Sequence, residues 1–335
     1  MTTSAPTLTF VRGVTVGQAE ADRGRSGVTV VRFEAPCPTV VDVRGGASGT
    51  FDTASLSLEA TFGFRIALFH AGGSLYGLDA AAGVRTAILE SGGGTRVFGN
   101  PNRVVPISGA ILFDLPARET ALPDYARLGY RASSTADRSA IRFGAAGAGA
   151  GATVGKYLGR DRSARGGTGS AATESRALGR IGVLATVNSV GAIRDPGSGE
   201  YVAGPRGIDG RVVPLAGRSS RGPRTAPPRG TTLVTVVIEL SMPRAALQRV
   251  AVYAHDGIAS AVDPAHTATD GDVVFVSTTQ AAPPHRRERY PGATADEIGH
   301  LVQRLVVGAI LRAVNHPWEL APRRPAARRS RAAPE

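Results

Sequence analysis

The chain has 335 residues and a mass of 34.4 kDa, with 42% hydrophobic and 20% charged residues, which suits one large layered domain or two ordinary ones and excludes a small disulfide-stapled fold. A single cysteine, Cys37, excludes an internal disulfide and a cysteine-built zinc site and fits a reducing cytoplasm. The formal charge is +12, yet the arginines are scattered and only 5% of residues are aromatic, so nucleic-acid binding is not the main expectation and a basic polyanion-binding protein stands as the non-catalytic alternative.

Met1 to Arg12 carries no basic leader followed by an apolar run, and no stretch reaches the roughly 20 apolar residues of a membrane helix, so neither export nor membrane insertion is expected. In Gly27 to Arg44 two β-branched runs flank Pro36-Cys37-Pro38, which predicts two adjacent strands meeting in a hairpin or at a sheet corner. Arg65 to Glu90 predicts a buried strand, a turn at Gly72-Gly73 and then a helix, because Leu75, Leu78, Ala82, Val84 and Leu89 recur at near-helical spacing. Val104 to Leu115 predicts another strand, and Leu122 to Arg131 a short helix.

Phe143 to Gly155 alternates glycine and alanine and ends at Lys156. It is no nucleotide loop: Ala150 and Tyr157 break G-x-x-x-x-G-K-[ST], and Val154 breaks G-x-G-x-x-G. Ile181 to Val190 predicts a strand containing Asn188, and Arg218 to Gly230 an exposed linker. Thr231 to Leu240 then predicts a strong strand, Pro243 to Val262 an amphipathic helix, Val273 to Ser277 a strand, and Ala293 to Val314 a long helix. The basic tail from residue 321 to 335 is expected to be disordered.

Of 39 basic residues only Lys156 is lysine. Chance survival is one explanation; the other is a need for a cation that can lose its proton, which arginine cannot do. The six histidines form no H-E-x-x-H pair and read as ordinary core or surface residues, and no G-x-S-x-G elbow occurs. Asp270 and Asp272 flank a glycine, either as a fragment of a calcium loop or as a plain turn. At Gly230-Thr231 a linker meets the head of an apolar strand. This is either a mere strand start or a self-cleavage site, where the hydroxyl attacks the preceding carbonyl and the freed threonine amine, with an ordinary pKa of about 7.7 to 8.0, becomes the base for its own hydroxyl.

The segments VDVRGGASGT (41 to 50), AGGSLYGLDAAAGV (71 to 84), the glycine-rich approach to Lys156, TVNSVG around Asn188, GTTLVTVV (230 to 237) and HTATDGD (266 to 272) stand in one order. Together they resemble the self-processing amidohydrolase family of DmpA-type aminopeptidases, β-peptidyl aminopeptidases and 6-aminohexanoate-oligomer (nylon) endohydrolases, the last being nearest in motif. The resemblance implies an α/β fold, a four-layer αββα sandwich of the Ntn-hydrolase kind. It also implies one domain over residues 1–320, cut into an α chain 1–230 and a β chain 231–335, in a homotetramer of such heterodimers. By the same match Thr231 is the nucleophile, Lys156 transfers protons, Asn188 bonds the oxyanion or the freed amine, and Asp270 and Asp272 hold the threonine amine or the Lys156 ammonium. Phe113 stands where the endohydrolases carry a substrate-side tyrosine, Gly230 replaces their asparagine, and Glu239 departs from the family's Asn or Asp. Tyr76 is matched, as a substrate contact or a packed core residue. The expected partner is a small amide or peptide oligomer, with an aminopeptidase on β- or D-amino-acid peptides as the alternative; no metal or organic cofactor is expected.

Overall fold

The computed structural model describes residues 5–21, 25–96, 101–115, 121–207, 209–215, 229–282 and 292–320; most of the expected linker and the whole expected tail lie outside these described residues. The main elements in chain order are strands β1 (Val14–Glu20), β2 (Gly27–Val43) and β3 (Phe64–Ala71), helix α1 (Ala80–Glu90), β4 (Ile107–Ile111), α2 (Tyr125–Ser134), β5 (Gly167–Ser175), β6 (Gly179–Asn188), β7 (Thr231–Leu240), α3 (Arg244–Ala261), β8 (Val273–Ala282) and α4 (Ala293–Ala313).

The strands pair in the order β5-β6-β7-β8-β2-β3-β4, with the short strand Thr50–Phe51 at the β4 edge and β1 on β2. The β7–β8 and β3–β4 pairs are parallel. Continuity through the middle rests on β2. Its residues Val28 to Arg32 pair with β3, its residues Thr39 to Val43 pair with β8, and the β2–β3 register shifts between Arg32 and Cys37. Pro36 and Pro38 have no N–H for a ladder, so the strand bends there instead of continuing flat. The Pro-Cys-Pro break is thus a corner inside one long strand, not a hairpin, and it divides the ladder into two stacked sheets.

Period-two alternation sorts the side chains into three apolar layers. In β7, Val234, Val236 and Ile238 pack outward with Leu247, Val250 and Ile258 of α3 and Val302 and Leu305 of α4. Leu233 and Val237 point the other way, joining Phe275, Leu184, Val31 and Leu68 between the sheets. On the far side Val28, Val30 and Phe69 pack against Val84 and Ile88 of α1 and Leu128 of α2. The result is the αββα sandwich.

Two of the main strands escape the sequence reading. Apart from Glu174, β5 is built of glycine, alanine, serine and threonine because α4 lies directly on its backbone: a Cβ on Gly169 would stand 2.1 Å from the Ala309 carbonyl. β1 is short and has its own glycine against α2. The strand expected over Val104 to Leu115 is limited to β4, and the following helix begins at Tyr125 behind the Asp124 cap, which accepts from Arg127 N. Glu239 has a structural place: its buried carboxylate accepts from Arg12 N, Nε and Nη2 and from Arg180 N, tying the N-terminal arm to the end of β7.

Candidate active site

Strand parity puts Thr231, like Leu233, on the inner face of β7, and register places it opposite Asn188, the last residue of β6. The peptide group before it is held from several sides. Gly230 N donates to the Thr269 carbonyl at 3.1 Å, and the Gly230 carbonyl accepts from Gly271 N at 3.0 Å. Thr231 Oγ1 donates to the same carbonyl at 2.5 Å. A backbone N–H aimed at the oxygen that would gain charge on attack is what an oxyanion donor requires. Only glycine fits at 271, since a Cβ would stand 2.9 Å from Thr231 Oγ1.

The loop carrying Asp270 and Asp272 is pinned by the glycine-rich segment after β2. Arg44 N donates to the Asp272 carbonyl at 3.0 Å and Ala47 N to the Asp270 carbonyl at 2.8 Å. Gly45 permits this approach, because a Cβ there would lie 2.2 Å from the Asp270 carbonyl oxygen. That contact explains why VDVRGGASGT accompanies the aspartates.

Lys156 follows Gly155, whose φ of +72° turns the chain inward, and its side chain is buried. Its Nζ donates to Asn188 O at 2.6 Å, to Asn188 Oδ1 at 2.8 Å and to Arg229 O at 3.0 Å. Burial pushes the ammonium down to about 7, against the pull of the Asp270 carboxylate. Burial, with the neighbouring Asp272, raises Asp270 as well. Desolvation therefore outweighs mutual attraction, and both groups are drawn toward their neutral forms.

The aspartates do not take the partners expected of them. Asp270 Oδ1 accepts from Val190 N at 3.0 Å and Oδ2 from Thr267 N and Oγ1. Asp272 Oδ1 accepts from Thr232 N at 2.6 Å, and Oδ2 from His266 Nδ1 at 2.7 Å. They order the backbone around Thr231, and Asp270 reaches Lys156 only through its field. Asn188 likewise spends its amide: Oδ1 takes Lys156 and Thr153 N, and Nδ2 donates to the Phe113 carbonyl at 3.1 Å. Its groups orient Lys156 and Phe113 in this uncut chain.

Phe113 is half-buried with the Arg229 guanidinium 5.2 Å from its ring centroid, so it adjoins the residues just before the junction. Tyr76 is not a core residue; it is 53% exposed on the 3-10 turn Ser74–Asp79. Next to Phe113 in the chain is Asp114, which sequence reasoning missed. It is buried, accepts from Gly73 N at 2.7 Å, leaves Oδ2 without a partner, and burial raises its carboxyl to about 6. His255 and His266 were missed as well. Their rings meet edge to face at 4.9 Å beside Asp272; the one sequence signal was that His266 opens the HTATDGD segment. Among the described residues no group of three or more metal-ligating side chains occurs, and no helix is long and apolar enough to cross a membrane.

The sequence matches peptidase family S58 over residues 7–323. The chain belongs to this family. Among its S58 relatives, an uncharacterized aminopeptidase of Mycobacterium tuberculosis is 33% identical over 306 residues, 87% of this chain and 86% of the relative. A 6-aminohexanoate-oligomer endohydrolase of Kocuria sp. is 35% identical over 286 residues, 83% of this chain and 76% of the relative. In fold, the chain is similar to a Burkholderia sp. β-aminopeptidase, with a TM-score of 0.63 at 18% identity over 93% of this chain and 88% of that one. It is equally similar to the L-aminopeptidase D-Ala-esterase/amidase of Ochrobactrum anthropi, described as a variant of the Ntn-hydrolase fold, with a TM-score of 0.63 at 18% identity over 93% and 87% of the two chains. Membership of a peptidase family places the S58 chain among hydrolases of peptide and amide bonds.

Proposed function

We propose that the chain cuts itself between Gly230 and Thr231 and that Thr231, then amino-terminal, hydrolyses amide bonds in short oligoamides of the 6-aminohexanoate type. The observation that carries this reading is the Gly230 carbonyl, held between Thr231 Oγ1 at 2.5 Å and Gly271 N at 3.0 Å. In self-cleavage the Thr231 oxygen adds to the Gly230 carbonyl carbon, and the C–N bond breaks. The hydroxyl proton passes by way of Lys156 to the departing nitrogen, leaving an ester and a free Thr231 amine. Water hydrolyses the ester to a Gly230 carboxylate and restores the hydroxyl. The amine then serves as base for that hydroxyl on a bound amide: an acyl ester forms, the substrate amine leaves, and water releases the acid. Gly271 N supports the oxyanion in each addition. The two aspartates keep the start of β7 and the 266–272 loop in place, and Phe113, with the exposed Tyr76, lines the approach. No metal or organic cofactor takes part in this scheme.

Intact mass under denaturing conditions, with amino-terminal sequencing, tests it without knowledge of the substrate. Two fragments are expected, the smaller starting Thr-Thr-Leu-Val, whereas Thr231→Ala stays full length and folded. An uncut wild-type chain, or a cut Thr231→Ala chain, removes Thr231 as nucleophile. The names of the mycobacterial relatives favour a second reading, an aminopeptidase. Acetylating the free amine of a 6-aminohexanoate oligomer separates the two, since an endo-acting enzyme still cleaves the blocked oligomer and an aminopeptidase does not.

A further inference from the structure

Asp272 holds the start of β7 through one oxygen, so whatever fixes its other oxygen bears on Thr231. That group is His266. Its backbone N donates to Asp272 Oδ2 at 3.1 Å and its ring Nδ1 donates to the same oxygen at 2.7 Å, while Oδ1 receives Thr232 N at 2.6 Å. A carboxylate can only accept, which assigns a proton to His266 Nδ1. The surroundings agree. His266 Nε2 is buried with no hydrogen-bond partner, and the ring meets that of His255 edge to face at 4.9 Å. His255 is fixed in turn, with Nε2 donating to the Asp42 carbonyl at 3.1 Å and Nδ1 unpartnered. His266 also holds a left-handed φ of +53°, a conformation uncommon for a histidine, which turns its ring back onto the loop it begins.

We infer that His266 is a positioning residue for Thr231: its Nδ1–H fixes Asp272, Asp272 fixes the Thr232 amide, and the Thr231 hydroxyl is thereby held against the Gly230 carbonyl. The inference rests on the proposed role of Thr231, and part of its test is independent of that role.

Asparagine and glycine both tolerate a left-handed backbone, but only asparagine offers an N–H near the place of Nδ1. His266→Asn therefore keeps the hydrogen bond, and His266→Gly keeps only the backbone. With misplacement of a reacting group as the mechanism, His266→Gly slows self-cleavage and lowers kcat on an amide oligomer by about 10- to 100-fold, with KM unmoved and the fold intact by circular dichroism. His266→Asn restores most of the rate. A His266→Gly protein as fast as wild type, or a His266→Asn protein as slow as His266→Gly, overturns the inference. Nitrogen-15 NMR of the Thr231→Ala chain at pH 8 tests the geometry without any activity: Nδ1 bears the ring proton of His266. A proton on Nε2 with Nδ1 bare overturns it too. A wild-type chain that neither cuts itself nor turns over amides, yet shows the Nδ1 proton, refutes the role of Thr231 and leaves the positioning of β7 standing.

Discussion

Lys156 unites a feature of composition with one of geometry. The only lysine of the chain is buried among three carbonyl oxygens, a setting that suits an ammonium by hydrogen bonding and penalises it by desolvation. Desolvation wins, bringing the group down to about 7. The sign follows directly. The unfolded lysine stays charged to about 10.5, so the fold bears the whole cost of the buried charge below pH 7 and is relieved of it as pH rises from 7 toward 10.5. If the neutral amine moves the proton, self-cleavage slows about tenfold per pH unit below 7 and levels off above it. Lys156→Arg, charged at every working pH, leaves the chain uncut. Time courses of cleavage in refolded precursor between pH 5 and 9 measure both, and normal processing of the arginine variant excludes Lys156 from proton transfer.

At the scale of elements, the inner faces of the sheets are joined by a polar bridge that no local pattern announces. His70 of β3 bonds Thr186 of β6 through Nδ1 and Thr235 of β7 through Nε2, each at 3.0 Å. These strands carry Asn188 and Thr231, so the bridge sets the distance between the sheet that holds the site and the sheet that covers it. Burial drives the imidazole down to about 3 from an ordinary 6.5. The unfolded chain therefore binds a proton that the folded one refuses, and stability present above pH 6.5 is lost as pH falls from 6.5 toward 3. Urea unfolding at pH 7.5, 6, 5 and 4 should show a loss of roughly a few kcal/mol across that window. His70→Leu is less stable at pH 7.5 by about 2 kcal/mol, for two hydroxyls lose their partner, but its pH dependence is flatter. An equally steep decline in the variant assigns the acid sensitivity to other groups.

For the whole molecule, a cut at 230 leaves β7, α3, β8 and α4 in one chain and β1 to β6, α1 and α2 in the other. It does not release them. β7 pairs with β6 and β8 with β2 across the cut, and Leu233, Val234, Val236, Val237 and Ile238 are fully buried, roughly 2 kcal/mol each in gross apolar burial. Both fragments are accordingly expected to elute together from a sizing column and to part only in denaturant, at a native mass of four 34.4 kDa units if the proposed tetramer of heterodimers forms. Separate elution without denaturant contradicts the shared sheets. Much of this architecture was legible in the sequence. β-branched runs marked β7 and β8, helical spacing marked α3 and α4, and the isolation of Lys156 in an arginine-rich chain marked a lysine that the fold buries beside Asn188. The sequence by itself thus determined the elements with strong periodicity and the family they resemble, and it named candidates that the fold brings together at the head of β7, because these follow from local preference and residue type. Only the tertiary structure decided that Pro36 and Pro38 bend one strand rather than end two, and that a glycine-rich β5 lies beneath α4. It alone decided that Asp272 bonds Thr232 and His266, and that Asp114 and His255 stand beside the site. Asp114 reaches Gly73 across 41 residues and His255 reaches Asp42 across 213. Such contacts depend on where distant segments come to rest, and no periodicity within either segment encodes them.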